Sequence, residues 1–515
     1  MFFIHVLHSC SLDPIPTWLV RDVADVIAPL FSLMCNTSLD TGNFPDACKS
    51  AIVIPRLKKP VLDAGDLKSF RPISNLSFVS KLVERIVVAR FAEFVERNHL
   101  FPVHQSAYRR FHSTETAVAK VHNDIVRAID DGKVTALVLL DLSSAFDTVD
   151  HDILLRVLEE RFGVNGVPLS RFRSYLTGRE QTFLHLNESS LALPLECSVP
   201  QGSSLGPIAF ISYTEDFNLI PQRHDLRHHI FADDKQIYDH VDVKDVGLAL
   251  SRLQQCITEV QEWCSSRRLQ LNASKTELAW FGSHANMLKL SKTDCNLVIQ
   301  DTTVHPTTVV RDLGVLLDSE LTMKQHVSQL AKSCFFHIRR IRQICRIAGK
   351  EVASQLVSAF VLSRLDYCNS VFSGLPKSTL ATLQRVQNAA ARLVLDLKPR
   401  EHVTPALRDL HWLPIQFRIQ YKLCTLMFCA RNGLCPTYLS DLLQPTSTAS
   451  GRPGLRSAFT SRYNKPRLRT AMGQRAFSYA GPNAWNALPP ALQNLKLLVP
   501  FRKQLKTYLY KCAFY

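Results

Sequence analysis

Two neighbouring aspartates, Asp233 and Asp234, stand between short apolar runs in the stretch HIFADDKQIY, residues 229–238. The apolar residues on both sides predict two short strands, with the acids at the tight connection between them. Two like charges at a hairpin tip repel each other, and a divalent cation is the natural partner to relieve them. Because Asp is also a favoured turn residue, an ordinary solvated turn is the alternative for this pair taken alone.

A further acid, Asp141, lies near the end of the apolar run VTALVLLDL, residues 134–142. Such a run predicts a strand buried on both faces, with the carboxylate at the strand mouth. The predicted elements follow the order strand, helix, strand pair, helix, strand, which is that of a split β-α-β layer. In that layer Asp141 and Asp233 come from neighbouring central strands, the geometry needed to hold two metal ions about 4 Å apart.

The elements around these acids are predicted from apolar spacing and from turn residues. The loop VPQGSSLGP, residues 199–207, precedes a helix, VVRDLGVLLD forms a hairpin, and a strand pair lies around residues 269–281. Helices are predicted at residues 18–39, 79–94, 118–129, 150–162, 253–264 and 327–345. Two basic surfaces are predicted, and for each the alternatives are phosphate contacts and ordinary solvated charge. The first consists of loops with Lys58, Lys59, Arg71, Arg109 and Arg110. The second is the last of these helices, with Lys332, Arg339, Arg340, Arg342 and Arg346.

The composition favours an intracellular protein with a polyanionic partner, with solvated basic faces as the alternative explanation of the net charge. The 515 residues predict two to four domains, and 61 Lys and Arg against 45 acids give a net charge of +16. Residues 444–515 contain twelve Lys or Arg and no acid. The fourteen cysteines show no metal-ligand spacing, and Cys424, Cys429 and Cys435 fit a helical core. Without a basic n-region or a long apolar run, neither secretion nor membrane insertion is predicted, which leaves the nucleus or the cytoplasm.

A family resemblance extends over nearly the whole chain, with LSRLDYCNSVFSGLP, HVTPALRDLHWLPI and PNAWNALP in its later part and seven blocks in order before them. The seven blocks are RPISNLSFVSKLVERI, HQSAYRRFHSTETA, LLDLSSAFDTVDHDILL, VPQGSSLGP, FADD, LNASKTEL and VVRDLGVLLD. With these blocks the chain resembles the reverse transcriptase of non-LTR, LINE-type retrotransposons. The resemblance implies that the chain is the C-terminal part of such a polyprotein, without its endonuclease domain.

The resemblance implies an α+β, right-hand polymerase with fingers, a ferredoxin-like palm and a helical thumb. The expected domains are an N-terminal extension (1–50), fingers (51–133), palm (134–318), thumb (319–400) and a helical basic C-terminal region (401–515). Its implied activity is RNA-directed DNA synthesis with two Mg²⁺ ions. The implied partners are an RNA template, a DNA primer or target, and dNTPs.

The resemblance also implies roles for single residues. Asp141 and Asp233 would bind the two Mg²⁺ ions, Asp234 would support the metal site, and Lys275 would protonate the leaving pyrophosphate. Phe146 would exclude ribonucleotides at the sugar 2′ position. The remaining nucleotide-binding residues would be Gln201 and Gly202, which support the incoming nucleotide and template, and Arg109 and Arg71, which hold the triphosphate.

Some positions depart from the family pattern, and other functions stay open. Phe231 stands where Tyr is common, Ser204 where Val is usual, and Lys235, in place of a common Thr, would compete weakly for the metal site. The main alternative is a retrotransposon relic that binds RNA or DNA without catalysis. A metal-dependent nuclease uses similar carboxylates, but it would leave Phe146, Gln201 and Lys275 without a role.

Overall fold

The computed structural model of the chain describes residues 10–13, 15–186, 188–398, 400–446 and 461–515. The start of the predicted N-terminal extension lies outside the described residues. So does most of the stretch 445–470, whose basic, proline-containing sequence predicts a linker. The side chain of Arg346, on the predicted basic helix, also lies outside them.

The described residues form helices along most of the chain. In chain order these are α1 (Thr17–Asp22), α2 (Ala24–Thr41), α3 (Phe78–Arg97), α4 (Thr114–Asp130), α5 (His151–Glu160), α6 (Gly166–Leu176), α7 (Gly206–Tyr213), α8 (Leu219–Arg223), α9 (Val246–Ser266), α10 (His284–Leu290), α11 (Lys324–Val357), α12 (Ser363–Asp366), α13 (Lys377–Leu395), α14 (Thr404–Asp409), α15 (Ile415–Arg431), α16 (Thr437–Ser440), α17 (Phe477–Asn486), α18 (Pro490–Gln493) and α19 (Leu498–Phe514).

The strands are shorter. In chain order they are β1 (Ser50–Leu57), β2 (Phe70–Asn75), β3 (Val134–Leu140), β4 (Leu142–Ser143), β5 (Glu180–His185), β6 (Glu188–Ser189), β7 (Leu193–Pro194), β8 (Arg227–Phe231), β9 (Asp234–Val241), β10 (Gln270–Leu271), β11 (Glu277–Phe281), β12 (Leu297–Ile299), β13 (Thr302–Val304), β14 (Pro306–Thr307), β15 (Val309–Asp312) and β16 (Val315–Asp318).

The chain divides into two compact units, each built from separate segments. The first unit comprises the described parts of Met1–Tyr108 together with Asp141–Asp225 and Gln255–Asn272. The second comprises Arg109–Leu140, Leu226–Gln254 and the described parts of Ala273–Tyr515. These units do not follow the predicted domain boundaries, which are defined by function and stay a prediction.

In the first unit a small sheet has the strand order β2-β1-β5-β6, with β7 paired to β5. β1 is antiparallel to β2 and parallel to β5. The helix α3 begins after Ser77, whose side chain accepts a hydrogen bond from the Ser80 backbone N–H as an N-cap. The apolar residues Val79, Val83, Ile86, Phe91 and Phe94 predict one buried face for α3, which is wrong at Phe94, because this side chain is 40% exposed. The helix predicted at residues 18–39 is two helices, α1 and α2, which meet at Val23.

The second unit contains a sheet with the order β14-β11-β3-β9-β8. The central strand β3 is buried along almost its whole length, as its apolar run predicts. The strand pair predicted around residues 269–281 is wrong, because β10 pairs with β4 and β11 pairs with β3. β10 and β11 therefore do not pair with each other. They pair instead with two successive strands, β4 and β3, of the stretch 134–143.

One apolar core of the second unit extends from α4 to α19. It includes Val121 and Ile125 of α4 and Phe428, Trp485 and Phe501 of the C-terminal helices. The long helix α11 packs on α13 and is interrupted at Gly349, whose φ of +77° is not helical. The α+β class and the compact helical C-terminal region are therefore as predicted. Among the described residues, no helix is long and apolar enough to cross a membrane.

Candidate functional site

The acidic pair lies on the predicted hairpin between β8 and β9. Phe231 pairs with Asp234, so Ala232 and Asp233 alone connect the two strands. Ala232 has a φ of +56°, a left-handed conformation that is rare for residues other than glycine. Asp233 is partly buried and Asp234 is exposed. The tight turn therefore presents two adjacent carboxylates at one end of the sheet.

Lys235 does not point to solvent beside these acids. Its side chain is buried, and its Nζ donates a hydrogen bond to the carbonyl oxygen of Ala232 at 3.1 Å. A lysine that holds the backbone of the turn stabilises its left-handed residue. The residue therefore has a structural contact within the hairpin, which the sequence analysis did not foresee.

Besides Asp233 and Asp234, one more acid of the second unit belongs to this region. Asp312 lies at the end of β15 and is completely buried. The Gln236 side chain on β9 donates a hydrogen bond to its Oδ1. Burial, and to a lesser extent the charge of Asp234, raise the pKa of Asp312 from 3.8 to about 7, although the hydrogen bond from Gln236 acts in the opposite direction. The sequence analysis missed this acid, although an Asp within the apolar hairpin VVRDLGVLLD was a signal.

Asp141 belongs to the first unit and directly follows the last residue of β3 in the chain. Its carbonyl oxygen accepts a hydrogen bond from the Asn272 backbone N–H at 2.8 Å. The next residue, Leu142, pairs with Leu271 in the short β4–β10 ladder. In the second unit, Leu140 at the end of β3 pairs with Lys235, the residue after Asp234. The register of β3 and β9 thus brings the end of β3 beside the acidic hairpin.

The loop from Val199 to Pro207 is held against β2 in the first unit. The Ser74 backbone N–H donates to the Gln201 carbonyl oxygen at 2.7 Å. Gly202 has a φ of +120°, and a Cβ atom at this position would lie 2.5 Å from the Ser74 carbonyl oxygen. Only glycine fits this close approach. The Gln201 side chain donates to Asp147 Oδ1 at 2.9 Å, and burial raises the pKa of Asp147.

A buried carboxylate on α3 holds the other half of this loop. Glu84 Oε2 accepts hydrogen bonds from the backbone N–H groups of Ser204, at 2.5 Å, and Leu205, at 3.3 Å. Its Oε1 accepts from Ser80 Oγ at 3.2 Å. Burial raises the pKa of Glu84, against the effect of these N–H donors and of the Arg179 charge. Glu84 lies 120 residues before the loop, so its role was not visible in the sequence.

Phe146 and the two residues expected to hold the triphosphate, Arg71 and Arg109, lie on different elements of the chain. The Phe146 ring stacks on Phe210 of α7 with centroids 4.4 Å apart and is partly buried. Arg71 is exposed on β2, and Arg109 is partly buried shortly before α4. Lys275 is exposed at the end of a short 3₁₀ helix that precedes β11.

The predicted site residues therefore fall into two groups. One group lies in the first unit, namely Asp141, Phe146, Gln201, Gly202 and Arg71, and the other in the second unit, namely Asp233, Asp234, Lys275 and Arg109. Across the part of the chain that the structure describes, no three His, Cys, Asp or Glu side chains are arranged to hold a metal ion.

A basic groove of about 680 Å³ lies between α11 and α13 in the second unit. No carboxylate lines the groove among the described residues. Cations and hydroxyl groups are the donors that bind phosphate oxygens. Its polar lining consists of Lys324, Lys332, Arg339, Arg385, Ser328, Ser378, Thr379 and Thr382.

A family model described as reverse transcriptase (RNA-dependent DNA polymerase) matches residues 57–315, half of the chain. The chain belongs to the reverse transcriptase family. This family has the predicted right-hand polymerase fold and generally uses divalent metal ions. The matched residues include both acidic elements, the loop at 199–207 and Lys275.

Curated relatives refine this assignment. The chain is 26% identical over 404 residues to the probable RNA-directed DNA polymerase from transposon BS of Drosophila melanogaster, covering 75% of this chain and 43% of the relative. It is 25% identical over 323 residues to the RNA-directed DNA polymerase from mobile element jockey of the same organism, covering 61% and 34%. These are non-LTR elements, as the resemblance predicts. The chain thus spans about two fifths or less of the length of these relatives.

Two solved structures are similar at low identity. One is a telomerase from Candida albicans in complex with a fragment of telomeric RNA, with 11% identity, a TM-score of 0.37, and coverage of 77% of this chain and 66% of that one. The other is an apo telomerase from Candida tropicalis, with 13% identity, a TM-score of 0.40, and coverage of 75% and 63%.

Proposed function

We propose that this chain is the polymerase part of a non-LTR retrotransposon protein and that it adds dNTPs to a primer 3′ end on an RNA template. The observation that carries the proposal is the family match over residues 57–315, which contains every predicted site residue. RNA, a DNA primer or target, and dNTPs are then its partners. Such an enzyme works in the nucleus or the cytoplasm.

The metal ligands proposed are Asp141, Asp233 and Asp234, with two Mg²⁺ ions as the cofactor. Carboxylate oxygens are the protein ligands that Mg²⁺ prefers, so the donor chemistry fits. When bound, such ions lower the pKa of the primer 3′-hydroxyl and stabilise negative charge on the transferred phosphoryl group.

The other residues bind and orient the nucleotide. Gln201 and Gly202 lie on a loop that Ser74, Asp147 and Glu84 hold in place, so this loop can position the incoming base pair without first becoming ordered. Arg71 and Arg109 hold the triphosphate by charge-assisted hydrogen bonds. Lys275 donates a proton to the leaving pyrophosphate.

Primer extension on an RNA template tests the activity. The wild type is expected to extend the primer with Mg²⁺ and dNTPs, whereas Asp233→Asn should abolish extension and leave RNA binding nearly unchanged. Asp242→Asn, at an exposed position just after β9, is the matched control and should extend normally. Extension by Asp233→Asn would contradict the metal-ligand role. If the folded wild type binds RNA with a steep salt dependence but never extends the primer, the chain is a non-catalytic relic. Cleavage of RNA or DNA without dNTPs would indicate a nuclease.

Phe146 is proposed to exclude ribonucleotides, because a bulky ring beside the sugar leaves no room for a 2′-hydroxyl. Phe146→Val is expected to raise the incorporation of ribonucleotides relative to dNTPs by about tenfold or more, a loss of roughly 1.4 kcal/mol of discrimination. Competition between the two nucleotide types in the extension assay measures this ratio. An unchanged ratio, with extension intact, would assign Phe146 only to packing on Phe210.

A further inference from the structure

A surface of aromatic and basic side chains lies on α11, on the π-helical turn at Ser358–Leu362 that follows it, and on α12. Phe336 is 50% exposed and Phe360 is 41% exposed, although both are large apolar side chains. Exposed aromatic rings that lie together are unusual on a protein surface and indicate a binding partner. We call Phe336, His337, Phe360, Arg340 and Arg364 the aromatic platform.

The rings of the platform form a continuous row across two segments of the chain. His337 stacks on Phe360 with centroids 5.3 Å apart and an angle of 17° between the rings. Phe336 meets His337 edge-on at 5.4 Å. Phe336 and His337 lie on α11, and Phe360 lies on the π-helical turn at Ser358–Leu362. The backbone therefore fixes the order of the three rings in the row. The row therefore exists before any ligand binds.

Two guanidinium groups lie over the two exposed rings, at the outer limit of cation–π distance. Arg340 lies 5.9 Å from the centroid of Phe336, and Arg364 lies 6.0 Å from that of Phe360. Arg364 is further fixed by a hydrogen bond from its Nη1 to the Phe360 carbonyl oxygen at 2.8 Å. Each exposed ring is thus paired with a cation that can bind a phosphate next to a stacked base.

Positive charge dominates the sequence around the platform, where the nearest acids are Glu351 and Asp366. Residues 321–350 contain seven Lys or Arg and no Asp or Glu. A second protein chain with an apolar surface would gain nothing from this charge, whereas a polyanion would be attracted to it. Rings that can stack on any base, together with cations at the phosphate positions, are the features of sites for single strands.

We propose that the aromatic platform binds a single-stranded nucleic acid by stacking of its bases. The inference goes beyond the proposed polymerase activity and does not depend on it, because none of the platform residues belongs to the proposed catalytic centre. It also differs from the groove between α11 and α13, whose cations and hydroxyls match a phosphate backbone and would accept duplex and single strand alike.

Equilibrium binding of labelled strands to the wild-type chain tests the proposal directly. The measurement is fluorescence anisotropy at matched salt, with EDTA present so that no extension occurs. A short single strand is compared with a strand of the same length that lacks its bases and with a duplex. The single strand is expected to bind at least about tenfold more tightly than the strand without bases. RNA and DNA versions of one sequence show which strand the platform prefers.

Variants assign the effect to the platform. The double variant Phe336→Ala, Phe360→Ala is expected to lose about tenfold in single-strand affinity for each ring and to bind the strand without bases as the wild type does. The matched control is Phe94→Ala, a ring of similar exposure on α3 in the first unit. A Lys332→Ala, Arg385→Ala variant of the groove should weaken binding of all three ligands.

Two results would overturn the inference. One is equal affinity of the wild type for strands with and without bases, which needs no variant and so cannot be caused by misfolding. The other is a double variant that binds like Phe94→Ala while its thermal unfolding is unchanged. Failure of the polymerase proposal leaves both readouts intact, because neither requires extension.

Discussion

At Gly202 the backbone of the loop passes so close to β2 that a side chain has no room. A Cβ atom there would lie 2.5 Å from the Ser74 carbonyl oxygen, and the φ of +120° is itself strained for any other residue. The neighbour is backbone of a paired strand and cannot rotate away. The requirement for glycine therefore comes from the packing of this loop, as well as from any contact with a nucleotide.

Gly202→Ala is expected to lower the free energy of unfolding by roughly 2–5 kcal/mol, through strain and steric overlap. It should also raise the KM for dNTPs, because the loop must move away from β2. Urea denaturation and extension kinetics measure the two effects. Gly247→Ala is the control, since a Cβ at this helical position meets nothing within 4 Å. That variant should gain up to about 1 kcal/mol, and a Gly202→Ala protein of unchanged stability would contradict the steric argument.

Asp312 makes stability depend on pH. Its pKa is about 7 in the folded protein and ordinarily 3.8, so between these values the unfolded chain has released a proton that the folded protein keeps. In that range, each pH unit upward lowers the free energy of unfolding by about 1.4 kcal/mol through this group. Above about pH 7 the loss no longer grows.

Asp312→Asn is therefore expected to equal the wild type in stability near pH 4 and to exceed it by a few kcal/mol at pH 8. The asparagine keeps an acceptor for the Gln236 side chain and has no charge to bury. Urea denaturation in metal-free buffer across this pH range measures the difference. Asp301→Asn, at an exposed position, should change little at either pH. A difference that does not vary with pH would show that Asp312 does not titrate in this range.

Among the elements, the loop at 199–207 depends on α3 for its shape. Glu84 on α3 accepts hydrogen bonds from two consecutive loop N–H groups, Ser204 and Leu205, in a buried setting. Each N–H left without an acceptor there would cost about 1–3 kcal/mol. One carboxylate thus fixes the end of the loop that leads into α7.

Glu84→Ala is expected to destabilise the protein by roughly 2–5 kcal/mol and to raise the KM for dNTPs more than it lowers kcat. Glu84→Gln keeps an acceptor oxygen and should show a smaller loss. Glu93→Ala on the same helix removes only an exposed ion pair with Arg97 and should cost less than about 1 kcal/mol. Equal effects of the two alanine variants would exclude the anchoring role.

The sequence predicts those elements whose signal is local. The hairpin at Asp233 and the strand β3 follow from apolar runs and turn residues, because burial of a strand is visible in its own residues. The hydrogen-bond partners of Glu84 and Asp312 could not be predicted, since they lie 120 and 76 residues away, although the apolar setting of Asp312 in its hairpin was a local signal. The prediction that β10 and β11 pair with each other is wrong for the same reason, because each strand pairs with a distant segment and not with its sequence neighbour.

At the scale of the whole molecule, the second unit joins α4 to the C-terminal segment through buried polar contacts. The Asp130 carboxylate accepts hydrogen bonds from the backbone N–H and Oγ1 of Thr470, each at 2.8 Å, and from the Arg469 N–H. Asn123 Oδ1 accepts from the Ser478 N–H at 2.9 Å. The C-terminal residues are therefore part of the core that supports the sheet.

Asp130→Ala is expected to lower the free energy of unfolding by roughly 3–5 kcal/mol, because it leaves buried donors and Arg127 without their partner. Limited proteolysis should then cleave the C-terminal segment faster. Its neighbour provides the control, since the Asp131 carboxylate forms an exposed ion pair with Arg469 at 3.9 Å. Asp131→Ala should cost less than about 1 kcal/mol, and similar protease resistance of both variants would exclude the docking role of Asp130.

The link between α4 and the C-terminal segment also sets an order for folding during synthesis. The Asn123 partner is made 355 residues after Asn123 itself, so α4 leaves the ribosome long before its last contacts exist. Until then its apolar residues, fully covered in the finished protein, face water or a chaperone. The sheet that carries the acidic hairpin thus reaches its final stability only after Ser478 has been synthesised, and a chain released before that point is prone to aggregation.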